Sequence, residues 1–248
     1  MNSDLNIVLT GGGTGGHVIP AVNIGREILS RNPGYKLLYL GGESSLEERL
    51  IKQEGWRFQA VTAAALRRGL YLSNLLLPLK MLWSLGQSLK YLSRFKADCV
   101  IGTGGYFSQP ALTAARLTGR PLFLQEQNAY PGLVTRLFSR RARRIYLGYQ
   151  DAAKYLKADP SRFKFTGNPV ASVPCELTPQ AAREKFNLET ERFTLFVTGG
   201  SGGSRNINNA VAEALEGIQQ RGFNLIWQVG KYLPEVVTSG EPTLVGFL

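Results

Sequence analysis

The sequence predicts a parallel α/β protein of two units, and three observations carry that prediction. Short β-branched runs alternate with longer amphipathic stretches, the pattern of strands joined by crossover helices. The strand-like runs are continuously apolar rather than alternating, as strands are when helices cover both faces. The rhythm breaks over 163–174 and then begins again.

In the first series, strands are expected at Asn6–Thr10, Lys36–Leu40, Phe58–Val61, Asp98–Gly102, Pro121–Gln125 and Arg144–Leu147. Helical stretches at Ala21–Ser30, Ser45–Glu54, Ser73–Phe95, Pro110–Leu117 and Leu133–Arg141 separate them. Thr166-Gly167-Asn168-Pro169 is turn chemistry, and Pro174 and Pro179 follow it. This places a domain boundary near residue 168, giving domains 1–168 and 169–248. The second series has strands at Thr194–Thr198 and Asn224–Val229 around a helix at Arg205–Gln220. That helix carries Ile207, Val211, Ala214, Leu215 and Ile218 as one apolar stripe. Thr243–Leu248 has the character of a buried strand, and so few strands make the second domain an incomplete one.

Composition narrows the function classes. The 248 residues are 44% hydrophobic and 19% charged, which excludes a disordered tail and a polytopic membrane protein. Two cysteines, Cys99 and Cys175, exclude a disulfide framework and fit a reducing compartment. One histidine, His17, excludes multi-histidine metal sites and is the sole candidate for a histidine base. The polar opening Met1-Asn2-Ser3-Asp4 shows no secretory signal. A net charge of +11 favours anionic partners: nucleic acid, phosphorylated metabolites or an acidic membrane surface.

Each half opens with a strand, a glycine-rich loop and a helix. The loops are Gly11-Gly12-Gly13-Thr14-Gly15-Gly16-His17 and Gly199-Gly200-Ser201-Gly202-Gly203-Ser204. Glycines let the backbone approach a ligand, and the following helix aims unpaired N–H groups at an anion. The first loop also matches the dinucleotide pattern G-x-G-x-x-G, but the acid this pattern expects could only be Glu43, at loose spacing. His17 stands beside the helix N-terminus, at the end of a first strand where α/β sheets place ligands, and suits a general base or hydrogen-bond partner. Gly104-Gly105-Tyr106 and Glu126-Gln127-Asn128 follow further strands and are expected at the same sheet edge. Tyr106 as a rim residue and Glu126 as a helix-capping or loop-ordering carboxylate are the plainer readings, but several polar groups converging on one edge favour a binding cleft.

Residues 67–96 combine leucines at helical spacing with cations. Leu72, Leu75, Leu79, Leu82, Leu85, Leu89 and Leu92 are expected to face the core, leaving Tyr71, Leu77, Met81 and Trp83 on the other face. Arg67, Arg68, Lys80, Lys90, Arg94 and Lys96 flank them. Pro78, Lys80 and Asn74 break the run too much for a bilayer span. Apolar residues ringed by cations suggest docking on an anionic membrane surface; a long core helix with solvated lysines is the alternative. Arg140-Arg141-Ala142-Arg143-Arg144 is the densest charge cluster, but no nucleic-acid-binding motif accompanies it, and no nucleic-acid partner is expected.

GGGTGGHVIPA at 11–21, GTGGYFSQPA at 102–111, LQEQNAYPG at 124–132, GNPV at 167–170 and VTGGSGGSRNINN at 197–209 lie in one order. Together they closely resemble the MurG family, the bacterial UDP-N-acetylglucosamine:undecaprenyl-pyrophosphoryl-muramyl-pentapeptide N-acetylglucosaminyltransferases. The resemblance implies a GT-B fold of two Rossmann-like parallel-sheet domains, an N-terminal one for the lipid-linked acceptor and the membrane, a C-terminal one for UDP-GlcNAc. It implies GlcNAc transfer to the C4 hydroxyl of the muramyl sugar with inversion, no catalytic metal or other cofactor, and a peripheral place on the cytoplasmic face of the inner membrane.

Carried over by position, His17 matches the histidine assisting acceptor deprotonation. Thr14, Gly15 and Gly16 match the loop beside the donor sugar and acceptor phosphates, and Asn128, Ser201 and Leu248 match donor contacts. Tyr106 and Glu126 match the acceptor side, and the 67–96 segment matches the membrane patch. Two departures stand out. Ala171 replaces a donor-binding arginine that relatives can carry, and relatives continue well beyond residue 248. A truncated chain is therefore expected, binding UDP-GlcNAc weakly and turning over slowly or not at all. A non-catalytic acceptor-binding half served by a separate chain, or a related nucleotide-sugar enzyme such as an epimerase, are the competing functions.

Overall fold

A computed structural model describes residues 4–43, 45–62, 77–171, 177–200, 202–231 and 243–244, the last two and residue 77 by backbone only. The chain divides into two compact units, Met1–Ala171 and Ser172–Leu248. The division falls after Ala171 rather than near 168, because the GNPV segment stays with the first unit. Asn23 Nδ2 donates to the Pro169 carbonyl at 3.0 Å, and Asn168 Nδ2 to that of Gln127 at 3.3 Å.

The first unit is a seven-stranded parallel sheet. Its strands are β1 (Asn6–Thr10), β2 (Lys36–Gly41), β3 (Arg57–Ala60), β4 (Cys99–Gly102), β5 (Leu122–Glu126), β6 (Arg144–Leu147) and β7 (Phe163–Phe165). Their order is β3-β2-β1-β4-β5-β6-β7. Crossovers run through α1 (Gly15–Arg31), α2 (Leu46–Gln53), α3 (Leu77–Arg94), α4 (Ser108–Leu117) and α5 (Leu133–Phe138). Alternate residues of a strand point to opposite faces, so β1 feeds two cores. Ile7 and Leu9 pack with Val18, Ala21 and Val22 of α1 and Ile51 of α2. Val8 packs with Leu92 of α3 and with Ala111, Leu112 and Ala115 of α4.

Two expectations about the elements change here. The helix α1 starts at Gly15, not Ala21. Glycine costs a helix about 1 kcal/mol against alanine, so the pattern favours a later start; burial of Val18 and the Thr103 hydroxyl bonded to the His17 carbonyl at 2.7 Å hold the early turns. Pro20 then lies inside α1, where the bond its ring withholds is the one to the Gly16 carbonyl. Residues 163–165, read as a break in the rhythm, form β7 against β6. A three-residue strand is too short to announce itself.

In α3 the buried stripe is Ser84, Ser88 and Leu92, with Leu85 and Leu89 packed beside it. Leu79 (63% exposed) and Leu82 (65% exposed) do not face the core as expected. The small serines, bonded back to the helix carbonyls of Met81 and Ser84, let α3 lie close to the alanine-rich face of α4. The first turns stand clear of that contact.

The second unit contains α6 (Pro179–Lys185), β8 (Thr194–Thr198), α7 (Arg205–Gln220), β9 (Asn224–Gln228) and β10 (Thr243–Leu244), with the parallel sheet order β10-β9-β8. Residues 245–248 of the expected last strand lie outside the described residues. On α7 the inward face is Asn208, Val211, Ala212, Leu215 and Ile218, whereas Ile207 and Ala214 are exposed. The polar Asn208 is invisible to a hydrophobic count. It is buried because its Nδ2 donates to the Val229 carbonyl at 2.9 Å and its Oδ1 accepts from Trp227 Nε1 at 3.2 Å.

Candidate active site

The strand order reverses between β1 and β4, and in open α/β sheets ligands bind beyond the carboxyl ends of the strands at such a reversal. The β1 loop and the β4 loop meet backbone to backbone: the Gly12 amide donates to the Gly104 carbonyl at 3.3 Å. Gly104 and Gly105 both have φ in the left-handed region (99° and 79°), which turns the β4 loop back onto the β1 loop. Thr14 is the N-cap residue of α1, and Gly15 and Gly16 form its first turn. The first-turn amides of Gly15 and Gly16 and the positive end of the helix dipole therefore lie at this end of the sheet.

His17 is half-buried in that first turn. Its Nδ1 lies 3.0 Å from the Thr103 carbonyl and 3.3 Å from Gln127 Oε1. A carbonyl oxygen only accepts, so Nδ1 carries the hydrogen, and neutral His17 keeps its lone pair on Nε2. The ring also stands against Gly104, where a Cβ would press on Nδ1. Tyr106 is exposed on the neighbouring loop, its ring centroid 4.3 Å from that of Phe107 with the planes tilted by 34°, and its edge against Gly13.

The end of β5 supplies the third side. Glu126 is 2% exposed. Its Oε1 accepts from the Asn128 amide at 3.0 Å and Asn128 Nδ2 at 2.9 Å, and its Oε2 from the Gly132 amide at 3.1 Å. The structure thus places Glu126 beneath the 127–132 loop as its organiser, with Asn128 exposed above it. Asn168 of the GNPV segment packs against Gly148 and Gln127, bringing that motif to the same end of the sheet.

Two supporting residues went unmarked in the sequence. Tyr39 is fully buried on β2 and donates its hydroxyl to the Gly11 carbonyl at 2.6 Å. Glu47, also buried, accepts from the Gly42 amide at 3.1 Å and lies against Gly12. Burial first, and the Glu47 carboxylate second, push both the Tyr39 and Tyr106 phenols above their ordinary pKa. Gln127, read in the sequence only as the middle of the Glu126–Asn128 run, joins them by donating its Nε2 to the Thr103 carbonyl at 2.9 Å. The only signal for any of them is position near a strand end, and spacing does not separate a supporting tyrosine or glutamate from core and surface.

In the second unit, the Ser204 hydroxyl caps α7 at the Ile207 amide (3.5 Å), and Gly203 lies against Val229 and Gly230. The loop is held to the end of β9 by the Lys231 amide, which donates to Gly202. Ser201 and Leu248 lie outside the described residues, as do Arg67, Arg68, Tyr71 and the side chain of Leu77. Of the expected membrane patch, Met81, Trp83 (67% exposed) and Lys80 are on the surface of α3, joined by Leu79 and Leu82. No helix among the described residues is long and apolar enough to cross a membrane. No group of three or more His, Cys, Asp or Glu among them could hold a metal ion.

Residues 7–147 match the glycosyltransferase family 28 N-terminal domain. A relative from Chlorobium luteolum is 41% identical over 230 residues, covering 91% of this chain and 62% of its own length. One from Salinibacter ruber is 38% identical over 226 residues, covering 91% and 60%. Both are named UDP-N-acetylglucosamine–N-acetylmuramyl-(pentapeptide) pyrophosphoryl-undecaprenol N-acetylglucosamine transferase. The chain therefore spans less than two thirds of the length of these curated relatives. Among solved structures, MurG of Acinetobacter baumannii superposes with a TM-score of 0.67 at 22% identity, covering 98% of this chain and 67% of that one. That likeness establishes the fold, two α/β units of the GT-B class. The match to 7–147 spans the strands and loops that bring His17, Thr103 and Gln127 together, and the chain belongs to glycosyltransferase family 28.

Proposed function

We propose that this chain carries the acceptor-binding unit and part of the donor-binding unit of an inverting N-acetylglucosaminyltransferase. The donor is UDP-GlcNAc and the acceptor is undecaprenyl-pyrophosphoryl-muramyl-pentapeptide. The observation that carries the reading is the contact of His17 Nδ1 with the Thr103 carbonyl, which commits that nitrogen as a donor and leaves Nε2 to take a proton, in the first turn of a glycine-opened helix at the sheet's switch point. The names of the relatives supply the substrates.

In this reaction the muramyl C4 hydroxyl attacks the anomeric carbon of GlcNAc as the bond to the UDP oxygen breaks on the opposite face, which inverts the centre. The hydroxyl proton passes to His17 Nε2, and UDP leaves with the bonding electron pair. Negative charge that gathers on phosphate oxygens is met in the first unit by the helix N-terminal amides of Gly15 and Gly16. In the first unit Tyr106 and Glu126 take the acceptor side and Asn128 the donor side.

The acceptor is lipid-linked, and the outer face of α3 suits a surface that holds it. Leu79, Met81, Leu82 and Trp83 are exposed there beside Lys80 on a strongly cationic chain. Such a face suits docking on anionic headgroups with its apolar side chains at the acyl boundary, which supports the reading of a peripheral protein on the cytoplasmic side of the inner membrane.

The test is transfer of labelled GlcNAc from UDP-GlcNAc to the lipid-linked acceptor, by the 248-residue chain and by the chain extended with a relative's C-terminal residues. Lipid-linked product from the extended protein, reduced about 100-fold or more by His17→Ala, supports the reading. UDP-GlcNAc consumed without any lipid-linked product, or no effect of His17→Ala, overturns it.

A further inference from the structure

We infer that Gln127 is a positioning residue that holds His17 as the Nδ1–H tautomer and so keeps Nε2 as the proton acceptor, an inference resting on the transferase reading above. The Thr103 carbonyl takes two bonds, from His17 Nδ1 at 3.0 Å and from Gln127 Nε2 at 2.9 Å. Gln127 Nε2 also donates to Gln125 Oε1. With its nitrogen committed to the Thr103 carbonyl and to the carbonyl and Oε1 of Gln125, the Gln127 carboxamide can only turn its oxygen towards the imidazole, and Oε1 lies 3.3 Å from Nδ1. His17, Thr103 and Gln127 thus close a triangle whose polarity is set by one backbone carbonyl.

Gln125 directs this triangle from behind. It is 2% exposed, and its Nε2 has no hydrogen-bond partner among the described residues. A buried amide left unpaired is rare and calls for a reason. Here the reason is direction: presenting its oxygen to Gln127 obliges the orphaned nitrogen to point away.

The choice of a glutamine has a chemical consequence. A carboxylate against Nδ1 would favour the imidazolium and leave less free base near neutral pH. The neutral amide oxygen orients the ring without that charge. The nearby carboxylates are turned elsewhere: Glu126 to Asn128 and Gly132 from β5, Glu47 to Gly42 from α2. Tyr106, on the β4 loop, stays a neutral phenol through the imidazole's range.

His17 is the only histidine, so the labelled 248-residue chain gives a single pair of imidazole ¹⁵N signals. Well above an ordinary imidazole pKa of about 6.5, the wild type is expected in the Nδ1–H form. Gln127→Met should lower the ratio of Nδ1–H to Nε2–H several-fold. The near-isosteric Gln127→Glu should raise the midpoint of the ring's titration by about one pH unit or more. In the extended protein, Gln127→Met should reduce kcat about tenfold with little change in KM. A wild-type ring in the Nε2–H form overturns the inference, as do variants whose ring signals and midpoint match the wild type. A ring that responds as expected in an extended protein that transfers nothing overturns the transferase reading instead.

Discussion

Gly105 lies against Gly12 so closely that any Cβ at 105 would overlap the Gly12 carbonyl oxygen. Gly105 also has φ 79°, so a side chain there meets both a backbone clash and an unfavourable conformation. Gly105→Ala should lower unfolding free energy by roughly 4 kcal/mol or more, or prevent folding of the first unit. Gly119→Ala is the control. It shares a left-handed φ of 66° but has open space, and should cost only about 1–2 kcal/mol. Urea midpoints of the two variants check the pair.

The Tyr39 hydroxyl is the buried partner of the Gly11 carbonyl, and Tyr39→Phe leaves that carbonyl unpaired. The expected loss is about 1–3 kcal/mol. Burial and Glu47 raise the folded-state pKa of Tyr39 above its unfolded value. The neutral phenol's contribution is therefore complete below about pH 10 and is lost as pH climbs towards the folded-state value. Stability measured from neutral to alkaline pH should fall more steeply for wild type than for the Phe variant.

Arg26 and Glu54 form a two-bond ion pair at 2.8 and 2.5 Å between α1 and the end of α2. The Arg26 hydrogen bond holds the Glu54 carboxyl below its ordinary pKa. A depressed carboxylate stabilises above its unfolded pKa, and the contribution disappears as pH falls through the folded value. Arg26 is more than half exposed, so solvent limits the pair to about 1 kcal/mol or less. Glu54→Gln should be slightly less stable at pH 7 and indistinguishable from wild type in the acid range. Denaturation midpoints across that range decide it.

Leu82 and Trp83 contribute to the exposed face of α3 and not to its buried stripe. Replacing both with serine should weaken binding to anionic phospholipid vesicles tenfold or more while changing unfolding free energy by no more than about 1 kcal/mol. Co-sedimentation with vesicles and a urea titration measure the two effects. Equal binding by variant and wild type would remove the membrane role of this face.

Much of the first unit was legible because parallel strands buried on both sides leave continuous apolar runs, and Asn6–Thr10 and Arg144–Leu147 have the expected bounds. The start of α1 was not, since Gly15 and Gly16 disfavour a helix on their own and hold one only with the Thr103 bond and the burial of Val18. The exposed leucines of α3 were hidden for a related reason. Helical spacing marks a face, but where along the helix a neighbour such as α4 begins to cover it is a property of the packing.

At the site, His17, Tyr106 and the Glu126–Asn128 run could be singled out because glycine-rich turns and strand ends are written in local sequence. That chemistry of backbone shape and residue type determined the α/β class and the candidate residues. Which nitrogen of His17 carries the proton, that Glu126 orders a loop from beneath, and that Gln127 faces the imidazole were decided only in three dimensions. These depend on hydrogen bonds between residues tens of positions apart, whose direction is set when β1, β4 and β5 become neighbours.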